Sequence, residues 1–210
     1  YIFFLGVEPN GYGGIEHTYS SSLLCSHSQL PVRETKSDNA DYISLLGLFS
    51  HEYLHVWNVK RLRPEVFVKP NLIDPVYTEQ LWIFEGITSY YDDLNLIRTG
   101  VITEKDYLKL LEKSFTRLYM NYGRHEQSLA ESSFDAWTKF YQPNENSVNS
   151  IVSYYLKGSI IALMLDLKII KDTDGKFSLE DVMRECWNLY YKDKEGMPEN
   201  EFENVAERVT

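Results

Sequence analysis

Cysteine is scarce in this 210-residue chain, with Cys25 and Cys186 the only two. Two are too few for a disulfide framework, which slightly favours the reducing cytoplasm, while a single bridge and a periplasmic or secreted location stay open. Both are expected to be buried small side chains. Basic residues are also short, 21 Lys and Arg against 31 Asp and Glu, for a net charge of −10. That balance argues against nucleic acid and anionic membrane surfaces and favours cationic ligands, a peptide's free amino end among them. Long hydrophobic runs are missing too. The most apolar later segment, Ile160 to Ile170, carries Asp166 and Lys168 and is too short to span a bilayer, so it reads as a core helix without membrane insertion. The opening Tyr1-Ile2-Phe3-Phe4-Leu5-Gly6-Val7 has neither an initiator Met nor a basic leader and reads as a strand cut from a longer protein.

The length suits one domain with a substantial core. Residues 1 to 35 carry the strand-like character: the apolar run, a Gly-rich turn at Gly11-Tyr12-Gly13-Gly14, then Ile15 to Cys25 with abundant Thr, Tyr and Ser. From Tyr42 the apolar spacing turns helical through Ile43, Leu46, Phe49 and Leu54, with an end expected near Lys60 because Pro64 and Pro70 lie beyond. Further helices are expected from Thr78, from Thr103 with a capping box, from Val152 to Lys171, and after Ser178 with Asp181 capping. Tyr141 to Ser147 reads as polar loop.

The most informative segment lies on the first helix: His51-Glu52-Tyr53-Leu54-His55, an H-E-x-x-H word. Residues four apart share a helix face, so His51 and His55 can present imidazole nitrogens to one zinc ion with Glu52 beside it. A metzincin would continue with Gly and a third His where this chain has Asn58 and Arg61, so the third ligand must come from elsewhere. Glu85 is the obvious donor, a lone carboxylate within Leu81-Trp82-Ile83-Phe84-Glu85-Gly86-Ile87-Thr88-Ser89-Tyr90-Tyr91. A carboxylate among such neighbours is costly unless paired or bound to metal. Two His and one Glu make the open, catalytic kind of zinc site.

Other motifs have blander readings. Asp172 to Ser178 suggests a calcium loop, but the register set by Gly175 puts the first ligand on Ile170 and the twelfth on Asp181, so a turn with a helix N-cap is expected. His17, His27 and His125 read as surface or hydrogen-bonded residues. Lys60-Arg61-Leu62-Arg63 reads as a basic run that is solvated or pairs with the acidic excess, with substrate binding as the alternative. Ser153-Tyr154-Tyr155-Leu156-Lys157-Gly158 places a phenol at a helix start, where a hydrolase could use it as an oxyanion donor. Spacing does not choose between Tyr154 and Tyr155.

Gly13-Gly14-Ile15-Glu16-His17, the zinc word with Trp57-Asn58-Val59-Lys60-Arg61, and Trp82 to Tyr91 together resemble the glycyl aminopeptidase family of gluzincin zinc peptidases. Ser128 to Trp137 and Ser153 to Gly158 are similar to its later blocks, so the resemblance covers nearly the whole chain.

The resemblance implies an α+β, mainly α, thermolysin-like fold, with a small amino-terminal sheet packed on a helical bundle. It implies one Zn2+ held by His51, His55 and Glu85, with Glu52 as the general base that activates the zinc-bound water. Gly13, Gly14 and Glu16 match an exopeptidase motif whose Glu grips the substrate's amino group. Tyr155 matches the Tyr of a Tyr-x-Lys-Gly motif that stabilises the transition state. The expected activity is a metallopeptidase releasing small N-terminal residues such as Gly or Ala from peptides with a free N-terminus. An endopeptidase of the same chemistry, and a non-catalytic peptide-binding relative, are the alternatives. Two departures are the long spacer between His55 and Glu85 and the missing β-rich and PDZ domains that usually flank the family's catalytic domain. Residues 1–210 are therefore expected to be the catalytic domain alone.

Overall fold

In this computed structural model, which describes residues 1–36, 38–71, 73–191 and 195–209, three strands come first: β1 (Ile2–Val7), β2 (Gly13–Glu16) and β3 (Ser20–Cys25). Their order is β1-β3-β2, with β1 parallel and β2 antiparallel to the central strand. Alternation in β3 buries Ser21, Leu23 and Cys25 toward the helices. The apolar β1 is an edge strand with Ile2 and Phe4 exposed. The Gly-rich segment corrects the sequence reading. Gly13 and Gly14 are not turn residues but pair with Leu24 and Leu23, and the strand-like stretch Ile15 to Cys25 divides between β2 and β3. Gly13 reaches this pairing at φ 153°, a backbone conformation glycine adopts freely, and the chain reverses where His17 N–H donates to the Ser20 carbonyl at 2.8 Å.

Helix α1 (Ala40–Leu54) starts where Asn39 Oδ1 accepts from Tyr42 N–H at 2.9 Å, and buries Ile43, Leu45, Leu48 and Glu52. It ends earlier than the prolines suggested. His55 is its C-cap, Lys60 N–H returns to the His55 carbonyl at 3.0 Å, and Val59 takes a positive φ of 152°. A side-chain bond of His55, described below, fixes that turn.

A π-helical turn, Trp82–Gly86, runs directly into α2 (Ile87–Arg98). It starts a turn later than the sequence suggested, because Thr78 Oγ1 is taken by Glu199 at 2.6 Å and by Gln80 N–H at 3.1 Å. Helix α3 (Glu104–Met120) has the expected Thr103/Asp106 capping box. The short α4 (Leu129–Phe134) and α5 (Ser147–Ser150) precede α6 (Tyr154–Asp172), whose N-cap is Ser153. Helix α7 (Leu179–Tyr190) has Ser178 as N-cap and Asp181 three residues in, where its carboxylate accepts from Ser178 N–H at 2.9 Å. Helix α8 (Glu201–Val209) follows.

Helix α2 lies between α1 and α6, and the main core gathers Phe84, Ile87, Ala162, Leu179, Val182 and Phe202 around them. By length and composition alone Ser147–Asp172 could cross a membrane. Within it, however, buried Asp166 accepts from Tyr90 Oη at 2.5 Å and from Leu179 N–H at 2.8 Å, contacts of an interior helix. Cys25 and Cys186 are both buried and unpaired.

Candidate active site

His51, Glu52 and His55 sit on the last turn and cap of α1, and Glu85 on the π-helical turn that faces it. A π turn shifts the register of the following helix by a residue, a device common where one side chain must be re-aimed. Here it aims Glu85 at both imidazoles: its Oε2 lies 3.2 Å from His51 Nε2 and 3.3 Å from His55 Nε2. The far sides of both rings are occupied. His51 Nδ1 is 2.9 Å from Asp92 Oδ2, and His55 Nδ1 is 2.8 Å from the Asn58 carbonyl oxygen.

Those outer contacts decide the chemistry of the inner ones. A carboxylate and a carbonyl only accept, so each Nδ1 carries the proton and each neutral ring turns its Nε2 lone pair toward Glu85. Three acceptor atoms then converge, an arrangement that is repulsive unless a cation sits among them. In a metal-free chain a proton fills that role. Burial disfavours charge on His51, but its bonds to Asp92 and Glu85 outweigh burial and push its pKa up to about 10. Burial would raise Glu85, yet the hydrogen bonds from His51 and His55 pull it down to about 2. His51, His55 and Glu85 are thus a donor set that fits a divalent metal, with the neutral Nε2 and carboxylate ligands that zinc takes.

Asn58 does a second job. Its Nδ2 donates to the carbonyls of Ile83 and Phe84 at 3.2 and 3.3 Å and to Thr88 Oγ1 at 3.1 Å, tying the loop after His55 to the turn bearing Glu85. His17, His27 and His125 are exposed and belong to no potential metal group among the described residues.

Glu52 is buried at 4% exposure, and its Oε2 has no hydrogen-bond partner among the described residues. Burial raises its pKa, opposed by the charges of His51 and His55. Gly14 packs directly on this carboxylate, where a Cβ would overlap Glu52 Oε1. Glu16, at the end of the same strand, lies with Glu52 and His55 in a group whose ligand atoms are all within 4.8 Å of one another. Its Oε1 is held by Lys60 Nζ at 2.9 Å.

Across the cleft, the Tyr141 hydroxyl is 3.2 Å from both the Tyr154 and the Tyr155 hydroxyls. Tyr154 is buried in the core at 2% exposure, whereas the half-buried Tyr155 ring lies 6.1 Å from the His51 ring. Tyr155 also lines a cavity of about 340 Å³ with Tyr12, Ser89 and Asp92. Burial first, and then the Glu85 charge, raise its pKa, so the hydroxyl keeps its proton. Lys157 bonds the carbonyls of Arg124 and Gln127 at 3.1 and 2.8 Å and anchors the loop before α4.

Gly158 faces Gly86, which follows Glu85 on the π turn. A Cβ on Gly86 would come within 2.7 Å of Gly158 Cα, and one on Gly158 within 2.9 Å of Gly86 Cα. This close approach sets the distance between Glu85 and Tyr155. Replacing Gly158 by Ala is expected to cost about 1–3 kcal/mol by overpacking. At roughly 2–4 °C per kcal/mol for a chain of this size, that lowers Tm by several degrees in a thermal melt. An unchanged Tm would contradict the packing assignment.

Asp92, Asn58 and Tyr141 are the site residues that sequence reasoning missed. Asp92 had a signal, since it follows Glu85 by two helical turns and shares its face. Asn58 stood out only as a missing metzincin Gly and as part of a segment that resembles the family, with no role of its own. Tyr141 had no signal, because it reaches the site from what reads as polar loop.

A model of the M61 glycyl aminopeptidase family matches residues 44–161, more than half of the chain. The chain belongs to that family. Among solved structures it is similar to an aminopeptidase N family protein from Idiomarina loihiensis, with 47% sequence identity and a TM-score of 0.90. The alignment covers 94% of this chain and 34% of that one, so the chain spans about a third of the length of this relative. No curated protein matches. The M61 match takes in His51, Glu52, His55, Glu85 and Tyr155 but stops short of Gly13, Gly14 and Glu16.

Proposed function

We propose that this chain is the catalytic domain of a zinc-dependent aminopeptidase with a thermolysin-like, gluzincin arrangement of sheet and helices. The observation that carries this reading is the convergence of His51 Nε2, His55 Nε2 and Glu85 Oε2, with both Nδ1 atoms already committed to acceptors. The chemistry a bound zinc supplies there is Lewis acidity toward a carbonyl oxygen and toward water. His51, His55 and Glu85 would hold it, and Asp92 and Asn58 orient the two rings.

Glu52 is the general base. Its buried, unpartnered Oε2 accepts a proton from the attacking water and returns it to the leaving amine nitrogen. Gly14 leaves the space that carboxylate needs. The Tyr155 hydroxyl donates to the oxyanion that develops on the scissile carbonyl. Glu16 receives the substrate's ammonium, in the place where Lys60 Nζ now sits. This subsite supports an exopeptidase over an endopeptidase, which must leave that end of the cleft open. Family membership supports small first residues such as Gly or Ala.

The chain is expected to purify with one zinc and to release the first residue of a small free-amine peptide, both lost on chelation and restored by zinc. His51→Ala or His55→Ala should abolish stoichiometric zinc, since two remaining protein ligands bind weakly. Full zinc by elemental analysis in both variants, or undiminished release after chelation, would contradict the assignment.

A further inference from the structure

A cavity of about 430 Å³ beside Glu16 is walled by Thr18, Tyr19, Lys60, Arg61, Arg63 and Tyr191, among others, and among the described residues no acidic one lines it. We propose that it is an anion subsite that takes a carboxylate carried by the peptide substrate. This rests on the peptidase reading and deepens it by naming a substrate class.

Three cations within four residues stand out in a chain of net charge −10. Leu62 between the arginines is locked in the core at 2% exposure, which fixes the segment. Each guanidinium is tethered by one backbone bond. Arg61 Nη1 donates to the Val56 carbonyl at 2.5 Å, and Arg63 Nη2 to the Lys60 carbonyl. A guanidinium has five N–H donors in a planar fork, so donors remain on each for a planar anion. Neither arginine makes an ion pair with a carboxylate among the described residues, unlike Arg98, Arg184 and Arg208, which hold Glu180, Asp181 and Glu201. Half-buried, tethered cations facing a cavity are preorganised, and an arriving carboxylate loses little entropy to ordering them.

The cavity also adjoins the candidate active site. Lys60 both lines it and binds Glu16, whose carboxylate lies in one group with Glu52 and His55. When a substrate ammonium takes Glu16, Lys60 is released and becomes a third cation for the anion. A carboxylate near the substrate's amino end has two sources: an acidic side chain on the first residue, or the C-terminal carboxylate of a very short peptide. The bland alternative is that Arg61 and Arg63 only brace backbone carbonyls, in which case peptide charge is irrelevant.

The test is binding, measured by calorimetry on the Glu52→Gln chain so that turnover does not intrude. Two matched pairs are compared: Glu-Ala-amide with Gln-Ala-amide for the side chain, and Ala-Ala with Ala-Ala-amide for the C-terminus. The acid member of at least one pair is expected to bind about tenfold tighter or better, the scale of one charge-assisted bond. The pair that shows this names the source. Adding Arg63→Gln or Arg61→Gln should bring that ratio close to one, and Arg63→Lys should restore only part of it. Should the arginine variants not fold, the ratio with Arg61 and Arg63 intact still decides, and it must shrink in high salt. Equal binding within both pairs, no binding of either acid member, or a preference that survives both arginine substitutions would overturn the proposal. Failure of the wild-type chain to hydrolyse any of the four peptides would remove the aminopeptidase reading while leaving the binding ratio interpretable.

Discussion

Glu52→Gln is expected to keep its zinc and lose nearly all turnover, by roughly 10²–10⁴-fold, the usual worth of general acid–base assistance. Gln preserves the shape over Gly14 but has no lone pair basic enough to take a proton from water. In the proposed site the metal is held by His51, His55 and Glu85 and not by Glu52, so metal content should not change. Stability should not fall either. Burial raises the Glu52 pKa, which means the folded chain disfavours its charged form, and a neutral Gln relieves that cost. Loss of turnover with an intact Tm and full metal separates a missing base from a damaged fold. Hydrolysis at the parental rate would mean that Glu52 is not the base.

Tyr155→Phe is expected to lower kcat by roughly 10²–10³-fold with KM little changed, the pattern for a donor that acts only on the transition state. The two neighbouring phenols differ in setting. Both hydroxyls reach Tyr141, but the Tyr154 ring lies in the core, whereas Tyr155 is half-buried on the His51 side. Tyr154→Phe should therefore leave kcat within a few-fold of the parent. If the large kcat effect appears in Tyr154→Phe instead, the donor is one residue earlier.

How much of this could be read beforehand differs from element to element. The three side chains that converge as a potential metal group were legible because a helix imposes the four-residue spacing of His51 and His55, and because Glu85 is a lone carboxylate in an apolar segment. The geometry around Glu85 was not legible. A π turn leaves no periodic trace in five residues, and the Gly86–Gly158 approach joins segments far apart in sequence. The end of α1 was misjudged because the stop is a local side-chain bond that no residue type announces: the bond from His55 Nδ1 to the Asn58 carbonyl turns the chain long before Pro64. In the sheet, Gly13 and Gly14 suggested a turn by composition, while Gly13 serves the pairing through its positive φ and Gly14 alone gives the space that lets β2 run against Glu52. Helices α4 and α5 are too short to show a period. That the basic run at Lys60 pairs with acidic residues was legible, but its partner Glu16 was not, since which charges meet is decided by packing and not by local pattern.

Whether the cleft serves an amino end is the point on which the proposed activity turns, and it is carried by Glu16. A charge-assisted hydrogen bond to the substrate ammonium is worth roughly 1.5–3 kcal/mol, or about one to two orders of magnitude in kcat/KM. The direct measurement is kcat/KM for one small-residue peptide with a free amino end and for the same peptide acetylated, on the parent chain and on Glu16→Ala. The parent should favour the free peptide by at least that factor, and Glu16→Ala should lose much of its activity on the free peptide while gaining nothing comparable on the blocked one. Equal cleavage of the two peptides by the parent would contradict an aminopeptidase and leave an endopeptidase in its place.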